Sequence, residues 1–352
     1  MRSFQVCTCG QPLQCNEYPT PTPTGTEVLL KIVAAGVCHS DLHLSDGWFD
    51  LGGGKRMSLQ DRGMKLPVTL GHENVGEIVA VGPDAKGVKI GARVLAHPWI
   101  GCGQCAPCKR DEENLCRAMK SLGVFSNGGY ADYLMVPHPR YLIDIGDLPP
   151  ERAAPLACSG VTTYGALKKV GPSLKTDATV IIGAGGLGLM CLALHKAMGG
   201  HSAIVVDIDP AKRDAAMKGG AKAVVDGAAP NAAQQIIDMT EGGAWAVIDL
   251  VGSSGTARLG IDSLIKGGKY IIVGLFGGDV TVSLPPLPMR ALTIQGSYVG
   301  SVPETIELID LVRRTGLPPV PVATRPLDDV NDVMAQLRAG KVVGRIVLTP
   351  AS

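Results

Sequence analysis

The stretch ATVIIGAGGLG, residues 178–188, decides the fold. A short apolar, β-branched run ends in Gly183-Ala-Gly185-Gly186-Leu187-Gly188, and LGLMCLALHKAMGG continues with helical spacing. A GxGxxG run alone says little; a strand before it and a helix after it supply the context of a dinucleotide site. The first glycine permits the tight turn, the second lets backbone approach a pyrophosphate, and the third lets the helix pack on the strand. The helix N-terminus then faces the phosphate charge. The next apolar run, AIVV, ends in Asp207, where an acid would bind ribose hydroxyls. A carboxylate there repels a 2′-phosphate, which favours NAD over NADP. Lys212 reads either as a neighbour of the adenosine ribose or as a solvated surface lysine.

Outward from this stretch, short apolar runs (AIVVDID, AVVDG, AWAVIDLVG, YIIVGLFG) alternate with alanine-rich helical stretches such as PAKRDAAMKGG. That alternation predicts an α/β fold with a doubly wound parallel sheet covered on both faces. Before Pro149 the chain reads differently. GTEVLLKIVAAGV, NVGEIVAVG and IGARVLAHP are β-branched runs cut by glycine and proline, and PTPTPTG at residues 19–25 reads as an extended, polyproline-like edge. The division expected is a β-rich domain over 1–149, a dinucleotide-binding domain over 150–290, and a tail over 291–352. The tail holds the strand LTIQGSY, two amphipathic helices and a closing strand, GRIVLTP, that ends the parallel sheet and returns to the first domain.

The chain's 352 residues favour two domains over one, and its 46 glycines suit many βα turns because aliphatic runs continue between them. A net charge of +1 argues for neither a nucleic-acid nor a membrane surface. No apolar run is long enough to span a bilayer, and MRSFQVCTCGQ lacks the apolar core of a signal peptide. The expected location is the cytoplasm.

In such a compartment ten cysteines are better metal ligands than disulfide partners. Cys102, Cys105, Cys108 and Cys116 form a CxxCxxCx₇C cluster, within a lobe over about 98–117. Four sulfurs close a tetrahedral shell around zinc and leave no open position, so this site is expected to be structural. The rival is an iron–sulfur cluster; the wide last spacing and the missing proline after the last cysteine weigh against it. Elsewhere lie Cys38 in GVCHSDLH, His72 and Glu73 in LGHEN, and Cys158 in PLACSGVTTYGAL. Singly, a buried cysteine is usually a small hydrophobe and a histidine usually a hydrogen-bonded core residue. Spacing alone does not bring these residues together. Cys7, Cys9, Cys15 and Cys191 read as packing residues or free thiols.

GVCHSDLH, GHENVGEIVAVG, the four-cysteine lobe, the glycine fingerprint and the closing GRIVL together resemble the zinc-dependent medium-chain dehydrogenase/reductase family over essentially the whole chain. The resemblance implies a GroES-like catalytic domain interrupted by a Rossmann domain. It implies that Cys38, His72 and Cys158 hold a catalytic zinc, a Cys₂His set known from alcohol dehydrogenases. Glu73 matches the acidic neighbour of the metal, and Asp41 the residue that orients the ligand histidine. Ser40 matches the hydroxyl that takes the alcohol proton, and His43 the end of the proton relay; the alternative for His43 is a plain surface residue. His39, Thr162 and Arg345 match cofactor contacts, and Val251 and Val273 are counted with them. The implied reaction is reversible alcohol oxidation with hydride transfer to NAD, two zinc ions per subunit, and a homotetramer or homodimer.

Three rival classes fit the sequence less well. Quinone and enoyl reductases of this fold lack the zinc ligands, polyol and threonine dehydrogenases often use another third ligand, and a sensing or structural protein would not need Ser40 and His43. For the substrate, the segment GWFDLGGGKRMSLQDRGMKL between Asp46 and Pro67 is long. Trp48, Phe49 and Trp99 are scarce aromatics that suit an apolar pocket, and Lys55, Arg56 and Arg62 add cations. DLGGGKR and VPHPRYL resemble bacterial 6-hydroxyhexanoate dehydrogenases, which implies an ω-hydroxy acid. The alternative is a general medium-chain, benzylic or cyclic secondary alcohol, with the cations merely solvated.

Overall fold

The computed structural model describes residues 1–316 and 320–350. Its six-stranded sheet is entirely parallel and runs in the order Ala223–Asp226, Ser202–Asp207, Ala178–Ile182, Ala244–Asp249, Leu264–Ile272, Thr293–Gly296. The apolar runs are continuous rather than alternating because both faces are buried. Along adjacent strands Ile181, Val205, Ile248 and Ile271 enter one core, while Val180, Val206, Val247 and Tyr270 enter the other. The order reverses between Ala178–Ile182 and Ser202–Asp207 on one side and Ala244–Asp249 on the other. Such a switch point, at the strands' carboxyl ends, is the usual ligand position in such sheets.

The β-rich part centres on the nine-residue strand Val28–Gly36, which pairs antiparallel with Glu73–Val81, Tyr133–Val136 and the returning Arg345–Thr349. This last pairing, Ala35 with Leu348 and Gly36 with Val347, joins residues 345–349 to the β-rich part. A three-stranded sheet of Gln14–Glu17, Arg2–Val6 and Val68–Thr69 lies beside it. Ala34, Val75, Leu95 and Trp99 share a core with Cys158, Val161 and the parallel sheet. Both parts therefore meet on one apolar seam. No helix among the described residues is long and apolar enough to cross a membrane.

Two core histidines give the fold an acid limit. Burial pushes His195, in helix Gly186–Ala197, down to about 4, and His97 down to about 3. Unfolded histidine titrates near about 6.5, so between those values the unfolded chain binds the extra protons. The stability these neutral rings contribute is present above about pH 6.5 and is lost as pH falls towards the folded values. His195→Gln is expected to flatten the acid side of a urea-unfolding series by about 1.4 kcal/mol per pH unit. An unchanged slope between pH 6 and 4.5 would remove His195 as the cause.

Candidate active site and metal centres

The strand register explains how distant residues meet. Gly36 pairs with Glu73, so the residues just beyond one strand's end face those just before the other's start. Cys38 then caps helix His39–Asp46, and His72 precedes Glu73–Val81. Cys158 arrives from the 3₁₀ turn Ala154–Ala157 and heads helix Ser159–Val170. Donor atoms of Cys38, His72 and Cys158 all lie within 4.8 Å of one another. His72 is fully buried, its Nδ1 lies 3.2 Å from Asp41 Oδ1, and its Nε2 has no hydrogen-bond partner. An orphaned ring nitrogen beside two sulfurs fits a metal ion, and three donors leave one position open.

Asp41 is the hub of this site. Its Oδ2 accepts from the Cys38 amide (2.9 Å) and from the Tyr130 hydroxyl (2.8 Å). Glu73, also fully buried, accepts from the Ser159 amide at 3.2 Å and pairs with the Arg345 guanidinium. Burial pushes the Glu73 carboxyl up, and Arg345 pulls it back. Ser40 and His43 occupy the same short helix, one turn apart. The His43 ring meets His39 edge to face (5.5 Å between ring centres) and Phe49 at a tilt (5.0 Å). Burial lowers both His39 and His43 below the ordinary histidine value.

The second cluster stands apart. The sulfurs of Cys102, Cys105, Cys108 and Cys116 also lie within 4.8 Å of one another, with Cys105 3.4 Å from Cys108. Amides of Cys102 and Ala118 donate to Cys116 Sγ, each at 3.3 Å. Backbone amides hold the Cys102 thiol down, to about 6, while burial beside Cys105 pushes Cys108 up. Sulfurs this crowded cannot all ionise without a cation among them. The closed set of four fits zinc, and the open set of three fits a second zinc.

The glycine turn is tight. Gly183 adopts φ +97°, and a Cβ on Gly188 would stand 1.8 Å from the Gly183 carbonyl oxygen. Gly185 caps helix Gly186–Ala197 with nothing within 4 Å of where its Cβ would be, an open cradle for phosphate. Asp207 Oδ2 accepts from the Ala184 amide at 2.7 Å, which orders the turn. Leu187 packs beneath it against the core. Thr162, one turn past Cys158, keeps a buried hydroxyl without a partner, and Arg345 Nε is likewise orphaned. Val273 is buried and Val251 half-buried at the sheet's carboxyl edge, and Lys212 lies half-buried on helix Pro210–Lys218.

Trp99 is buried with its ring 5.7 Å from His72. It also meets Tyr298 at 6.2 Å, a residue the sequence reading passed over as strand. Asn114, within the four-cysteine lobe, donates to the Tyr298 carbonyl at 3.0 Å. Trp48 and Phe49 are half-buried in a hairpin, Trp48–Asp50 with Arg56–Ser58. Arg56 lies 3.8 Å over the Trp48 ring, while Lys55 and Arg62 point to solvent. The tip of this hairpin reaches the other half of the molecule. A Cβ on Gly52 would stand 2.7 Å from Gly278 main chain, and Gly277 crowds Asp50. No periodicity announces Tyr130, Tyr298 or this seam, because each depends on long-range approach.

Comparison with known proteins agrees with this geometry. Residues 24–147 match the family model described as alcohol dehydrogenase GroES-like domain, and residues 186–314 the one described as zinc-binding dehydrogenase. An NAD-dependent alcohol dehydrogenase of Sulfurisphaera tokodaii is 40% identical over 353 residues, covering 99% of this chain and 100% of that protein. One from Saccharolobus solfataricus is 38% identical over 352 residues, covering 99% and 100%. The crystal structure of the alcohol dehydrogenase from Aeropyrum pernix superposes with a TM-score of 0.90 at 33% identity, covering 99% of this chain and 100% of that one. With its GroES-like part, its Rossmann sheet and two donor clusters that fit zinc, the chain belongs to the zinc-type medium-chain alcohol dehydrogenase family.

Proposed function

We propose that this protein oxidises an alcohol to its carbonyl, reversibly, with NAD as hydride acceptor, at the cluster of Cys38, His72 and Cys158. The observation that carries this is the meeting of those three donors, with Cys158 in the same apolar core as the parallel sheet. The division into a domain over 1–149, one over 150–290 and a returning tail over 291–352 is part of this proposal. When bound, zinc supplies Lewis acidity and the nicotinamide accepts the hydride. Ser40 takes the alcohol proton. His43 carries it onward; its lowered affinity for protons lets it release them to solvent at neutral pH. Asp41 fixes the His72 tautomer, and Glu73 stands behind the metal with Arg345 as its counter-charge. His39, Thr162, Val251, Val273, Lys212 and Arg345 border the cofactor. Asp207 favours NAD over its 2′-phosphorylated form.

For the substrate we favour an ω-hydroxy acid such as 6-hydroxyhexanoate. Trp99, Tyr298 and Phe49 supply apolar wall, and Arg56, held on the Trp48 ring, supplies a cation at its edge. The exposure of Lys55, Arg56 and Arg62 alike supports the second reading, a general medium-chain, benzylic or cyclic secondary alcohol. Comparing kcat/KM for 6-hydroxyhexanoate and 1-hexanol separates the two. Carboxylate recognition is expected to favour the hydroxy acid by about tenfold, with that gain lost in Arg56→Ala and reduced in Lys55→Ala. Equal values, or a preference for hexanol, would leave only the general reading.

Assembly into a homodimer or homotetramer is part of the same proposal. The edge strand Thr293–Gly296, Ile294 among its residues, is exposed along its whole length, and Phe276, Leu284 and Met289 are exposed large apolar residues of the segment that leads into it. An unpaired edge flanked by apolar side chains suits a second copy of itself. We place the protein in the cytoplasm, where its free thiols stay reduced for metal.

A further inference from the structure

We propose that Tyr130 is a positioning residue for the catalytic-site metal, acting through Asp41 on both Cys38 and His72. Tyr130 lies outside every motif above, in GGYADYL, and is fully buried. Its backbone is pinned to the segment just before His72: the Tyr130 amide donates to the Leu70 carbonyl at 2.9 Å, and the Gly129 amide to the Gly71 carbonyl at 2.8 Å. The ring lies flat against Gly71, where a Cβ would stand 2.5 Å from Tyr130 Cδ1, and Gly71 has φ +90°. Neither ring nor hydroxyl has freedom to wander.

The hydroxyl has one proton and two acceptors within reach, Asp41 Oδ2 at 2.8 Å and the Gly36 carbonyl at 3.3 Å. The nearer, charged acceptor takes it. Oδ2 then holds two donors, Tyr130 and the Cys38 amide, which leaves Oδ1, without a hydrogen-bond partner of its own, 3.2 Å from His72 Nδ1. One carboxylate thus spans two metal-site residues, and Tyr130 fixes its rotation. Burial also raises the phenol's pKa, so it stays a donor. Asp41 is fully buried, so loss of the hydroxyl leaves a carboxylate lone pair with no water to replace it.

The test rests on the reading of Cys38, His72 and Cys158 as a zinc site. Zinc release from the purified two-zinc protein is followed with a chromophoric chelator, and each phase is assigned with Cys105→Ser. Tyr130→Phe keeps the ring and is expected to speed release from the Cys38 site by about tenfold, with the four-cysteine phase unchanged. In an Asp41→Asn background the same substitution is expected to add nothing. Installing 3-fluorotyrosine at position 130 alone, a stronger donor on the same ring, is expected to slow that phase by about twofold. An unchanged Cys38-site phase in Tyr130→Phe, or equal acceleration in the Asp41→Asn background, would overturn the role of Tyr130 alone. Should Tyr130→Phe not fold, a 3-fluorotyrosine protein with unaltered release overturns it instead. A wild-type protein that holds zinc only in its four-cysteine lobe overturns the zinc reading as well.

Discussion

Ser40→Ala is expected to lower kcat by about 10²–10⁴-fold while zinc content and NAD affinity stay as they are. Ser40 stands on the first turn of helix His39–Asp46, two positions past Cys38, and it is not itself one of the clustered donors. In the proposed relay its loss removes a proton acceptor without removing a ligand. The measurement is NADH formation by absorbance, beside metal analysis and a cofactor titration. Turnover equal to the wild type would take Ser40 out of the mechanism. His43→Gln is a milder case, because water reaches a half-buried ring and replaces part of its function.

Cys105→Ser is expected to cost one zinc per subunit and about 10 °C or more in Tm. The four sulfurs carry few apolar contacts of their own; only Cys108 and Cys116 are buried. The lobe depends on its metal for shape. It is also not isolated from the rest of the protein. Arg140 bridges Asp111 and the buried Glu113, and Asn114 holds the Tyr298 carbonyl. Disorder in the lobe is thus expected to raise the KM for alcohol through Tyr298, with less effect on NAD. Full zinc content by elemental analysis in the variant would sink the structural-zinc assignment.

How much of this was legible in the sequence followed chain distance. The glycine turn and Asp207 sit within one βαβ unit, so the pattern ATVIIGAGGLG carried its own context. The four lobe cysteines lie within one loop region and read as a metal site by proximity alone. Cys38, His72 and Cys158 did not, because their meeting rests on the Gly36–Glu73 register and on a 3₁₀ turn, and neither has a local signature. Only the resemblance to a family joined them. Tyr130 looked like any strand-flanking aromatic, since nothing in GGYADYL shows where a hydroxyl will point. The long loop after Asp46 was legible as long, but not as a hairpin whose tip crosses to the other half of the molecule.

That crossing fixes where the hairpin sits. Gly52, at φ +78°, approaches the other half so closely that a Cβ there would stand 2.7 Å from the Gly278 main chain and 3.1 Å from Asp279 Cβ. Gly277 faces Asp50 just as tightly. The hairpin bearing Trp48 and Phe49 thus keeps its place through the want of a methyl group, since any side chain at position 52 would wedge the two segments apart.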